Sequence, residues 1–206
     1  MPLPPSTTRS KERSLPRPRA VLRFWQAGWF LLLQLLAVGV LAGEPPSKEY
    51  QVKAACLLNF VQFIEWPAAA FPQPDAPIVV GVLGDDPFGE VLERTFQDES
   101  VQGRSLLVKR SRQLEDLKNC NLLFIARTER PRLADILANL GDAKIVTVSE
   151  MEEFTQRGGI INFYIDGGKI RFEVNPDSAQ RKGLKIGSQL LKRARIVGSD
   201  PRKGRE

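Results

Sequence analysis

The 206-residue sequence predicts an α/β fold: a single three-layer domain with a mostly parallel sheet of about six strands, helices on both faces and a C-terminal antiparallel hairpin. Three observations predict it. Ile78 to Leu83 is an unbroken apolar run of strand length, the pattern of a strand covered on both faces. Further apolar runs at 106–108, 122–125 and 144–148 alternate with helical segments, which implies right-handed βαβ units. Asp166-Gly167-Gly168, between Ile160–Ile165 and Lys169–Val174, is a hairpin turn.

The elements follow in order. Lys48 to Glu65 is the first helix, rich in helix formers, with Val52, Ala55, Cys56, Phe60 and Phe63 at helical spacing. Leu57, Leu58, Val61 and Ile64 make its other faces apolar too, so it reads as a core helix with Asn59 as its polar exception. Pro67 disfavours helical geometry at Trp66, and the Pro-rich stretch to Pro77 is a loop carrying Phe71. After the first strand, Asp86 is a candidate N-cap with Pro87 at the first position of a helix to Phe96. A short helix over 113–117 separates the second and third strands, and Thr128 caps a helix that Gly141 ends. Ser149 and Glu152 have capping-box spacing and predict another short helix. Beyond the hairpin, Asn175-Pro176 opens a helical turn and Ser188 caps a last helix.

Residues 1–42 have the layout of a secretory signal peptide. A basic, Pro-rich region precedes an apolar run, and Val40 and Ala42 form a small-residue cleavage site. An uncleaved membrane anchor is the rival reading, because the apolar run is nearly long enough to span. Residues 43–47 read as a linker, 48–197 as the folded domain and 198–206 as a disordered basic tail. Of the formal net charge of +6, residues 1–43 hold +5, from six basic side chains against Glu12, which leaves +1 for the rest. The exported part is close to neutral and carries no basic patch interleaved with aromatics, so nucleic acid is not an expected partner.

The chain contains no histidine, which removes Ser-His-Asp and Cys-His catalysis and the common zinc sites. It contains neither a GxxxxGK[ST] nor a GxGxxG phosphate loop. No catalytic residue, metal or cofactor is expected. Asp85 and Asp86 could work as an acid–base pair, but a helix cap with a turn residue explains the same pattern more simply. In a parallel sheet Asp85, Asp86, Arg127, Thr128, Ser149 and Glu150 fall at carboxyl ends of strands, where open α/β sheets bind ligands. They are the candidate crevice for a small polar molecule. Cys56 and Cys120 are the only cysteines, and an exported protein could pair them or keep two buried thiols. The basic segment Arg181, Lys182, Lys185, Lys192, Arg193 and Arg195 reads as a solvated face, with a membrane surface or acidic partner as the sharper alternative.

Several stretches together resemble one family. Lys53-Ala54-Ala55, Asn59-Phe60, Phe63 and Glu65-Trp66-Pro67 are similar to the opening of YfiR-like periplasmic proteins. The resemblance continues through Gly84-Asp85-Asp86-Pro87-Phe88-Gly89, Cys120-Asn121-Leu122-Leu123-Phe124-Ile125 and Thr147-Val148-Ser149. It closes with Gly158-Gly159-Ile160-Ile161-Asn162-Phe163, Arg171-Phe172-Glu173-Val174-Asn175, Gly183-Leu184-Lys185-Ile186 and Leu190-Leu191. It implies a non-enzymatic periplasmic regulator that binds the sensor region of an inner-membrane diguanylate cyclase and lowers cyclic-di-GMP synthesis, restraining biofilm formation. It also implies homodimers and, through cysteines, redox sensitivity. Two cysteines are too few for the two-disulfide pattern of some members. A partner surface needs aromatics at its centre, and Trp66, Phe71 and Tyr164 are the candidates.

Overall fold

The computed structural model describes residues 48–198. The leader, the linker and all of the basic tail except Gly198 lie outside the described residues. The elements are α1 (Lys48–Phe63), β1 (Ile64–Glu65), β2 (Ile78–Leu83), α2 (Val91–Phe96), β3 (Ser100–Val101), β4 (Arg104–Ser111), β5 (Leu122–Ile125) and α3 (Leu133–Leu140). They continue with β6 (Val146–Ser149), β7 (Ile161–Asp166), β8 (Lys169–Val174), α4 (Pro176–Arg181), β9 (Lys185–Ile186), α5 (Ser188–Leu191) and β10 (Arg195–Ile196).

The main sheet has eight strands in the order β10-β8-β7-β6-β5-β2-β4-β3. The five central strands β7, β6, β5, β2 and β4 run parallel. The hairpin adds β8 antiparallel to β7, and β3 is antiparallel to β4. The expected fold class is therefore present. The count rises from about six because β3 and β10, each of two residues, carry no apolar run to announce them.

Strand alternation separates two cores. On β5, Leu122 and Phe124 enter one core, while Leu123 and Ile125 enter the other. The first core takes α1, α2, α4 and α5, and the second takes α3 with Leu114, Leu117, Met151 and Phe154. These are the two outer layers. Phe60 links α1 to the hairpin, stacked 5.5 Å from Phe163 and edge-on at 5.0 Å to Phe172.

The buried face of α1 differs from the expected one. It comprises Lys53, Ala54, Leu57, Phe60 and Val61, whereas Val52 and Ala55 are exposed and Cys56 and Phe63 half-buried. Asn59 is exposed and donates from Nδ2 to Ala55 O at 2.9 Å. The helix is thus covered on one side only. It also ends at Phe63, because Ile64 and Glu65 leave to pair with Ile186 and Lys185 in a two-stranded ribbon. Gly187 N donates to Phe63 O at 2.8 Å, and a Cβ at Gly187 would lie 2.6 Å from that oxygen, so only glycine fits this approach.

Three expected caps are replaced by other contacts. Asp86 does not start a helix; its Oδ1 accepts from Phe88 N at 2.8 Å, and α2 begins only at Val91. Thr128 lies within a 3-10 turn over Arg127–Arg132, where Pro131 delays the α-helix to Leu133. Ser149 ends β6 and is followed by turns instead of a helix. Ser188 is the first residue of α5 and not its cap, a position held by Gly187, but Asn175 does cap α4, accepting from Ser178 N at 3.0 Å.

Candidate functional site

Register places a cleft at the carboxyl edge of the parallel strands. Ser149, the last residue of β6, pairs with Asn162, so the rest of β7 extends beyond the end of β6. A cavity of about 400 Å³ opens there, with Lys53, Arg127, Glu150, Asn162, Glu173 and Arg195 in its wall.

Two buried carboxylates organise it. The Glu150 side chain is 3 % exposed and is paired with the Lys53 ammonium and with Arg127 Nε at 3.1 Å. It also accepts a hydrogen bond from the Tyr50 hydroxyl at 3.0 Å. Lys53 is paired with Glu49 as well, and its ammonium lies 4.6 Å from the centre of the Tyr50 ring. Burial, and then the Glu150 charge, push the Tyr50 hydroxyl up to about 12. Glu173, opposite Asn162 in the hairpin, accepts from the Thr155 hydroxyl at 2.5 Å and from Arg195 Nε at 3.1 Å. The Arg195 guanidinium also lies 4.3 Å from the Tyr164 ring centre. Asn162 Oδ1 is buried and has no hydrogen-bond partner.

Both carboxylates are thus held by cations and hydroxyls, which suits architecture better than proton transfer. Among the described residues, no group of three His, Cys, Asp or Glu side chains is placed to hold a metal ion.

Of the six expected crevice residues only Arg127 and Glu150 line this cavity. Asp85 and Thr128 do meet, since Asp85 N donates to Thr128 Oγ1 at 3.2 Å, but the Asp85 carboxylate is paired with Arg112 at 2.8 Å. Asp86 is paired with Arg110 at 2.6 Å, and Arg110 also binds Glu93 and Gly89 O. Ser149 is buried, and its hydroxyl donates to Ile125 O at 2.8 Å. These groups close the edge of the fold instead of opening it to a ligand.

The three candidate aromatics are not brought together. Tyr164 is half-buried beside the carboxyl-edge cleft. Trp66 and Phe71, also half-buried, lie at the amino-terminal edge of the sheet, where Trp66 Nε1 donates to Asn121 O at 3.2 Å and Arg104 stacks 3.8 Å over Phe71. Cys56 and Cys120 are free thiols packed in the cores on opposite faces of the sheet, so the disulfide is not made. The basic segment is not wholly a solvated face: Lys182 is 9 % exposed and donates to Gly141 O, while Arg195 serves Glu173.

Lys53, Asn162, Glu173 and Arg195 are not among the expected crevice residues. One signal was present: Lys53, Leu57, Phe60 and Ile64 share helical spacing, so a lysine stands in the stripe that the core needs.

Two of the solved structures similar to the chain illustrate the likeness. One is a conserved domain protein from Vibrio cholerae O1 biovar El Tor, 12 % identical with a TM-score of 0.47, covering 69 % of this chain and 59 % of that one. The other is an ABC domain in complex with L-Trp from Streptococcus pneumonia, 10 % identical with a TM-score of 0.48, covering 70 % of this chain and 60 % of that one. The chain thus spans about three-fifths of the length of each. The model of the YfiR/HmsC-like family matches residues 50–195, from the first turns of α1 to the start of β10. The chain belongs to the YfiR/HmsC-like family.

Proposed function

We propose that the protein is a periplasmic, non-enzymatic regulator that binds the periplasmic sensor region of an inner-membrane diguanylate cyclase and represses cyclic-di-GMP synthesis. The observation that carries this reading is the family match over residues 50–195, almost the whole folded part. The paired state of Glu150 and Glu173 supports it, since neither carboxylate is left to act on a substrate. Repression requires that the protein bind the inactive state of the sensor more tightly than the active one. The signal-peptide layout of residues 1–42 would place it in the right compartment, as a soluble protein after cleavage or as a homodimer of it. The test uses membranes carrying the cyclase. The protein should co-purify with it in mild detergent and lower its GTP turnover. Recovery of no cyclase together with unchanged turnover would overturn the reading.

A second reading, binding of a small polar molecule in the carboxyl-edge cleft, is favoured by one observation: the unpartnered Asn162 Oδ1 in the cleft wall. A hydrogen-bond donor on a ligand would satisfy it. A thermal-shift screen that finds ligands whose effect disappears in Asn162→Leu supports this reading, and shifts unaltered by that change exclude the cleft.

A further inference from the structure

At the amino-terminal edge of the sheet, away from the charged cleft, the chain builds a second cavity of about 500 Å³. Its outer wall is the loop carrying Ala69, Phe71 and Pro77, and its floor is Val79 with Cys120 and Ile145, which lead into β5 and β6. Asn121 fixes that loop to the sheet. Its Nδ2 donates to Ala70 O at 3.2 Å, its Oδ1 accepts from Val79 N at 2.9 Å, and its main-chain oxygen accepts from Trp66. The groove is therefore a built feature and not a gap beside a loose loop.

Its lining is lopsided in charge. Lys118 and Lys144 line it, and no carboxylate does. Neither ammonium is firmly held. Lys118 reaches Glu115 at 3.3 Å, with both side chains well exposed, and such pairs are worth little. Lys144 Nζ meets only the Asp142 carbonyl, at 3.5 Å. An apolar floor with two weakly engaged cations and no opposing acid complements an apolar body with one negative charge.

We propose that this groove binds a medium-chain monocarboxylate, its tail against Phe71, Pro77, Val79 and Ile145 and its carboxylate towards Lys118 and Lys144. This goes beyond repression of a cyclase: it supplies a ligand site on the regulator itself, on an edge distinct from the charged cleft. Binding is measured on the isolated protein, so it stands or falls independently of the cyclase.

The test is calorimetric titration of the purified protein with decanoate below its micellar range. Saturable binding of about one ligand per chain is expected. Decan-1-ol, with the same tail and no charge, should bind at least tenfold more weakly. The double change Lys118→Glu with Lys144→Glu should weaken decanoate binding at least tenfold, and Ala69→Trp, at an exposed wall position, should fill the groove and have a comparable effect. Each variant is compared with the parent by circular dichroism, and Ala69→Trp serves alone if the charge reversal does not fold. Absence of saturable binding, equal affinity for the alcohol, or decanoate binding indifferent to these changes would overturn the proposal.

Discussion

The buried pair of Lys53 and Glu150 makes an asymmetric prediction. Removing one partner of a buried ion pair typically costs about 3–5 kcal/mol, because the other charge is left desolvated. In Glu150→Gln, Lys53 keeps Glu49, whose side chain is 36 % exposed, so the cost should sit near the lower end, about 3 kcal/mol. In Lys53→Met, Glu150 keeps Tyr50 and Arg127, and the methionine preserves the packing of the stem. The loss should then be about 2 kcal/mol, the worth of one hydrogen bond between charged groups. At roughly 2–4 °C per kcal/mol for a domain of this size, the midpoints should fall by about 6–12 °C and about 4–8 °C respectively. Urea unfolding near neutral pH, followed by far-ultraviolet circular dichroism, gives both values if the slopes stay constant. Equal losses, or a larger loss for Lys53→Met, would refute the view that Glu150 is the better-supported partner.

Three further outcomes are expected. Gly159→Ala places a Cβ 2.2 Å from the fully buried Phe154 ring and should cost about 3 kcal/mol, whereas Gly158→Ala meets nothing within 4 Å and should cost only the strain of its positive φ, about 1 kcal/mol; thermal melts that rank them in reverse would contradict the packing. Burial pushes the Cys120 thiol up to about 12 and raises the Cys56 thiol as well, so a thiol reagent at about pH 8 should label half-buried Cys56 slowly and Cys120 only after denaturation. The Tyr50 hydroxyl is raised from 10.0 to about 12, which means the folded state holds its proton more tightly; the corresponding stability is intact below pH 10 and lost as pH rises through about 12. Tyr50→Phe should therefore shallow the alkaline fall in melting temperature, and an unchanged slope would remove Tyr50 as its cause.

The sheet was legible because its strands are covered on both faces and read as plain apolar runs, and the hairpin because Asp166-Gly167-Gly168 admits little else. What local pattern could not show was what distant partners override. The end of α1 is set by Lys185 and Ile186, more than a hundred residues away, and not by Pro67. Glu173 reads as the outward position of an alternating strand, yet Thr155 and Arg195 cover it. The expected crevice residues lie at carboxyl ends of their strands, but Arg110, Arg112 and Ile125 O take up the polar atoms of Asp86, Asp85 and Ser149. Lys53 was hidden by its own surroundings, since a stripe of leucine and phenylalanine draws attention away from the lysine that begins it.

The ribbon that joins Ile64 to Ile186 also bears on how the molecule comes into being. A nascent chain has no partner for its residue 64 until almost the last element has been synthesised, and long-range closures of this kind slow folding. A polypeptide still missing its final segment should therefore leave the end of α1 untethered, so the last turn of that helix is expected to gain its protection late in folding.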